Sequence, residues 1–193
     1  MMKFLARSIS IVLFALPLLA VQANAQDQAI LYQPDPDSPI GERNPKAPPE
    51  TAQFDFVIGD WDIDITYTPA GGKPFSYKAK WHNHWVVDGH VVMQEWRGPY
   101  STGAEFRFFD PQKKRWIGQN VYTGAKWQET SAEFVDGKMY IYSSQSDADG
   151  DFLARETYYE IGPDSFKLKA EVSRDNGKSW QAGKYTLVAT RSL

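Results

Sequence analysis

The chain contains no cysteine, which excludes disulfide staples, thiolate chemistry and cysteine-based metal sites, and leaves burial alone to stabilise the fold. It also lacks an excess of one charge. The net charge is −3 at pH 7 with acidic and basic residues interspersed, so neither the basic footprint of a nucleic-acid binder nor a cationic patch for anionic membranes is present. No segment approaches the roughly 20 consecutive apolar residues of a transmembrane helix. Helix-period patterning is also scarce, and only a short turn around Thr51 to Ile58 reads as helical. No cofactor motif and no metal-ligand spacing of the zinc-finger or EF-hand type is read. Asp147, Asp149 and Asp151 flank Gly150, but the glycine is misplaced for a calcium loop and no distal glutamate follows.

What is present begins with Lys3 and Arg7, an apolar run from Ile9 to Leu19 carrying Pro17, and the small-x-small triplet Ala23-Asn24-Ala25. That order is the signature of a secretory signal peptide, with cleavage expected after Ala25 and a bacterial periplasmic or secreted destination. With no cysteine there is no lipid attachment site. From Gln26 to Glu50 the composition turns polar and proline-rich, with Pro34, Pro36, Pro39, Pro45, Pro48 and Pro49. Proline lacks a ladder donor and pulls its predecessor toward extended geometry, so residues 26–50 are expected to form an extended or disordered leader. The alternative is an arm that packs across the domain.

Residues 51–193 are expected to form one domain. Trp61, Ile63, Ile65 and Tyr67 alternate with Asp60, Asp62, Asp64 and Thr66, which is the period-two pattern of a half-buried strand. Similar runs recur to Arg191 and make about ten strands. Asp88-Gly89, Asp136-Gly137 and Asn176-Gly177 are dipeptides that tolerate positive φ in tight turns, and they imply antiparallel neighbours. Ten up-and-down strands either close or expose two long edges, so the fold class is all-β, a ten-stranded antiparallel up-and-down barrel. Gly59-x-Trp61 on the first strand, with Arg191 returning on the last, reads as its closure: a cation over an indole contributes roughly 0.5 to 2 kcal/mol.

Phe54-Asp55-Phe56, Gly59-Asp60-Trp61-Asp62, the Ser173-x-Asp175-x-Gly177-x-x-Trp180 stretch and the terminal Tyr185 to Arg191 strand together resemble a lipocalin-like, calycin-type family of secreted bacterial domains. The resemblance implies a calycin-like barrel with an interior for a small apolar ligand, and it brings no catalytic residues. The Ser173 to Trp180 stretch also resembles the Asp-box of sialidases, where the aspartate holds a turn and the tryptophan packs beneath it.

The hairpin around Asp88-Gly89 carries the sharpest candidates. A two-residue turn sets Trp81 opposite Trp96, Asn83 opposite Gln94 and Trp85 opposite Val92 on one surface. On the other it sets His82 opposite Glu95 and His84 opposite Met93. If the first surface is inside, Trp81, Asn83, Trp85, Gln94 and Trp96 line a ligand site; burial of a large aromatic contributes roughly 2 to 3 kcal/mol, which favours this arrangement. If the second is inside, His82, His84 and Glu95 converge as a metal or acid-base centre. Asn120, Glu129, Arg155 and Glu156 are further candidates for inward polar groups, with Glu129 and Arg155 an alternative acid-base pair.

The expected function is binding of a small apolar or aromatic molecule inside the barrel. One alternative is an enzyme using that interior. The other is a solidly packed barrel acting as an envelope scaffold or protein-interaction module.

Overall fold

The computed structural model describes residues 40–192. The expected signal peptide, residues 1–25, and the leader as far as residue 39 lie outside the described residues. A 3-10 helix, Pro49–Val57, is followed by ten strands: β1 (Gly59–Tyr67), β2 (Phe75–Val86), β3 (Val91–Arg97), β4 (Thr102–Asp110), β5 (Arg115–Tyr122), β6 (Gln128–Val135), β7 (Lys138–Asp147), β8 (Gly150–Tyr159), β9 (Ser165–Ser173) and β10 (Gln181–Arg191). Each strand pairs antiparallel with its sequence neighbour, and β1 pairs with β10, so the sheet closes into a ten-stranded up-and-down barrel.

Closure follows from the alternation of β1. Trp61, Ile63 and Ile65 are buried while Asp60, Asp62 and Asp64 face solvent. On β2 the partners of those aspartates are His82, Lys80 and Lys78. Each pair is in contact, with Lys78 Nζ 2.8 Å from Asp64 Oδ1. Exposed cross-strand pairs of this kind are screened by solvent and salt, so they fix register more than they add stability. The β2–β3 hairpin has the register that its turn dictates, Trp81 opposite Trp96, Asn83 opposite Gln94 and His82 opposite Glu95. Asp88 and Gly89 hold φ of 52° and 71°, and Asp136 and Gly137 hold 49° and 74°. Asp and Gly tolerate this left-handed region at low cost.

The 3-10 helix stoppers the end of the barrel where β1 begins. Phe54 and Val57 are fully buried; Phe54 meets Trp116 edge-on at 4.6 Å, and Phe56 meets Phe166 at 5.5 Å. The helix's terminal carbonyls, which have no partner within a helix, are taken up by side chains of the barrel. Trp61 Nε1 and Asn83 Nδ2 both donate to the Val57 carbonyl, at 2.7 and 2.8 Å, and Arg191 Nη1 donates to the Ile58 carbonyl at 2.9 Å. The Arg191 guanidinium lies 4.3 Å over the Trp61 ring. Gly59 sits at φ +115°, and a Cβ there would come within 2.5 Å of Arg191 Nη1, so both backbone conformation and space require glycine.

The described end of the proline-rich leader packs against the barrel. Gly41 bridges Trp85, and its carbonyl accepts the Trp85 N–H at 3.3 Å. Asn44 is buried; its N–H donates to the Gly89 carbonyl and its Nδ2 to Asp88 Oδ2. Arg43 pairs with Asp55 at 3.1 Å. These contacts dock residues 41–44 on the barrel.

Outside the barrel, the Ser173–Trp180 stretch forms a compact turn. Asp175 accepts from the Ser179 side chain at 2.6 Å, the Ser179 N–H at 2.9 Å and the Ser173 hydroxyl at 2.7 Å. Trp180 packs on Arg155, whose guanidinium is 4.0 Å from its ring centroid. The bond from the Ser179 hydroxyl, joined by the Ser179 N–H and the Ser173 hydroxyl, holds the Asp175 carboxyl down to about 2.

Two outcomes follow from this architecture. Trp61→Ala should cost about 3–5 kcal/mol by the usual scale for a buried tryptophan, read as a lower urea midpoint at unchanged m; an unchanged midpoint would remove Trp61 from the closure. Because the folded pKa of Asp175 lies below its ordinary value of 3.8, its contribution is present above pH ~4 and is lost as pH falls toward ~2. Asp175→Asn should therefore flatten the acid limb of a stability–pH curve in that window. An acid limb identical to wild type would show that the turn does not titrate.

Candidate functional site

The barrel interior is divided along its axis. Nearest the 3-10 helix, Trp61, Trp116, Tyr158 and Phe166 are fully buried; Trp61 and Tyr158 both pack on Phe166, and Trp116 packs on Phe54. The other half is hollow. A cavity of about 790 Å³ opens between the far ends of the strands, within the range typical of small-molecule sites. Its walls carry Ile65 and Tyr67 from β1, Tyr77 and Trp81 from β2, and Trp96 from β3. β4 adds Glu105, β5 adds Asn120 and Tyr122, β6 adds Gln128 and Thr130, and β7 adds Ile141 and Ser143. Glu156 comes from β8, Leu168 and Ala170 from β9, and Tyr185 and Leu187 from β10.

Two carboxylate–phenol units stand among the polar members of the wall. Glu105, only 4% exposed, contacts the guanidinium of Arg107, 2% exposed, and accepts the Tyr122 hydroxyl at 2.5 Å. Glu156 accepts the Tyr185 hydroxyl. Burial, reinforced by the negative charge of Glu156, pushes the Tyr122 and Tyr185 phenols well above their ordinary range, so both remain protonated donors. A buried carboxylate–guanidinium pair is costly to desolvate and adds little net stability over apolar packing. Arg107 is further held by the Phe54 ring, 5.6 Å away. Trp81 Nε1 and the Arg107 Nε and Nη1 atoms are buried without a hydrogen-bond partner among the described residues.

The tryptophan surface of the β2–β3 hairpin faces inward: Trp81, Asn83, Trp85, Gln94 and Trp96 are all buried. Only Trp81 and Trp96 line the cavity. Asn83 is committed to the Val57 carbonyl, and Trp85 and Gln94 lie below with the packed layers, nearer the β2–β3 turn. This corrects the expectation that all five line a ligand site.

The opposite surface is outside, so His82, His84 and Glu95 do not converge in the barrel. His82 contacts Asp60, and Glu95 accepts from Arg97 at 2.8 Å. The physical reason is the burial gain of the indoles on the other face of the same strands. Of the remaining candidates, Asn120, Arg155 and Glu156 are among the cavity residues. Glu129 is exposed, and the Arg155 guanidinium is committed to Glu171 at 3.0 Å and to the Trp180 and Tyr140 rings. No interior acid-base pair is made from Glu129 and Arg155.

Glu105, Arg107 and Tyr185 were not indicated by local sequence. On β4 the usual amphipathic sense is inverted: Phe106 and Phe108 face outward, Phe108 being 44% exposed, while Glu105 and Arg107 face inward. The available signal is register alone. Trp96, Gln94 and Val92, known to point inward, oppose Gly103, Glu105 and Arg107.

No family profile matches the sequence, and no curated protein matches it. Among solved structures, the chain is similar to Rv2717c from M. tuberculosis at 12% identity and a TM-score of 0.49, over 76% of this chain and 99% of that one.

Proposed function

We propose that this protein is an exported barrel that binds a small molecule with an aromatic or apolar body in the open half of its interior. The observation that carries the reading is the 790 Å³ cavity walled by Tyr67, Tyr77, Trp81 and Trp96 in a barrel whose other half is packed solid. Aromatic walls offer a flat, apolar surface and restrict a ring to a few orientations. A purely structural barrel gains by filling its interior, since each buried methylene adds roughly 0.8 kcal/mol; an unfilled half is therefore a reason to favour binding over a scaffold role. Export is supported by the order of charged, apolar and small residues from Lys3 to Ala25.

Nile red, a neutral aromatic probe, should bind the mature protein with a rise in fluorescence. Ser143→Trp and Ala170→Trp, which place an indole among the cavity residues of β7 and β9, should weaken it about tenfold or more, the scale of losing a well-packed ring contact. Equal binding by wild type and both filled variants, with melting temperatures unchanged, would count against the cavity as the site. Protein recovered from a bacterial periplasm should have the mass of a chain beginning at Gln26. An uncleaved chain retained in the cytoplasm would count against export.

A further inference from the structure

We propose that the ligand of this cavity is an organic cation, an aromatic or apolar body carrying an ammonium group, and that Glu156 is its counter-ion. This deepens the binding function proposed above and rests on it.

The inference starts from the position of Glu156 on β8. Its side chain points inward one pleat above the fully buried Tyr158, roughly 6.5 Å along the strand, and its cross-strand neighbours are Ile141 and Ala170. Neither neighbour can neutralise it. Its hydrogen-bond partner is the Tyr185 hydroxyl, which burial holds in the neutral form. Among the described residues no basic nitrogen lies within ion-pair distance of Glu156. Arg107 pairs with Glu105, Arg155 with Glu171 and Arg174 with Asp147, and Lys184, an exposed residue at the cavity mouth, makes no ion pair with it.

The walls facing this carboxylate are aromatic. Tyr77, Trp81, Trp96 and Tyr122 line the same cavity, and ring faces carry the negative side of the quadrupole, which attracts a cation within about 6 Å. The Trp81 indole N–H, in a side chain only 3% exposed, has no partner and offers a donor to an acceptor on the ligand body.

The three charge classes of ligand are then unequal. An anion would meet the Glu156 charge. A neutral apolar molecule can occupy the aromatic part of the cavity but gains nothing from the carboxylate, and where it covers Glu156 it gives up water without replacing those hydrogen bonds. An ammonium replaces that water with a charge-assisted hydrogen bond and places its carbons against the rings.

The test uses two probes with one aromatic body, 1-naphthylmethylamine and 1-naphthalenemethanol, titrated calorimetrically into the mature protein at pH 7, with Nile red as a control for the cavity. The amine should bind about tenfold or more tighter than the alcohol, the scale of a hydrogen bond to a charged group over a neutral one. Glu156→Gln should bring the two within about threefold, through weaker amine binding with alcohol affinity equal or higher. Equal or tighter binding of the alcohol to wild type would overturn the proposal and leave the cavity reading standing. So would Nile red binding with neither naphthyl probe bound. Amine preference persisting in a Glu156→Gln protein of unchanged melting temperature would overturn Glu156 as counter-ion. If none of the three probes binds, the cavity reading falls and the cation proposal falls with it.

Discussion

The barrel depends on the contact between its first and last strands. A sheet of ten strands closes only if β1 is paired on both sides in compatible register, and the chain fixes that register at one end. Arg191 caps the Trp61 indole, donates to the Ile58 carbonyl and also reaches the Pro163 carbonyl at 2.9 Å. The same indole reaches the carbonyl of Val57, so closure of the sheet and seating of the 3-10 helix are a single event. Loss of either aromatic or cation leaves buried donors and acceptors unpaired, and that penalty exceeds the worth of the bonds themselves. The cavity lies toward the opposite end because this end is fully committed.

Legibility in the sequence follows the strength of local signals. On β1, four alternating residues of each kind agree with a solvent face and a core face. In the β2–β3 hairpin, Asp88-Gly89 pins a two-residue turn, and the observed pairs of Trp81 with Trp96 and His82 with Glu95 follow by counting. The choice between the two faces was decided by indole burial against histidine solvation, a difference of several kcal/mol across three rings by the usual scale. The depth of each inward residue was not legible. Asn83 and Gln94 share a face with Trp81, yet they sit below the cavity, because depth is set by where the 3-10 helix ends and not by period two.

β4 marks the limit of pattern reading. A half-buried strand is normally read by sending its aromatic residues inward, and Phe106 with Phe108 would then be core while Glu105 with Arg107 would be solvent-facing. The reverse holds, since Glu105 and Arg107 are 4% and 2% exposed. Register along the sheet, not local hydrophobicity, determines the outcome: once Gln94 points inward, so must Glu105. The outward phenylalanines find cover among outer side chains, Phe106 lying 6.4 Å from Trp127. A strand that breaks the local rule while its neighbours keep it is where function is to be sought.

The inversion also explains why the cavity persists. Glu105, Arg107, Tyr122 and Glu156 each need partners that an apolar side chain cannot supply, so the upper interior cannot collapse onto itself without burying a carboxylate unpaired. Gly118 opposite Arg107 and Thr130 opposite Gly118 add little bulk at the boundary, and a Cβ at Gly118 would come within 2.8 Å of the Arg107 side chain. The glycine therefore admits the guanidinium, the guanidinium meets Glu105, and Glu105 orients Tyr122 along the wall. Beyond that pair, Glu156 holds a charge without a basic partner. Polar groups that contribute little to stability thus define the shape of the space above them.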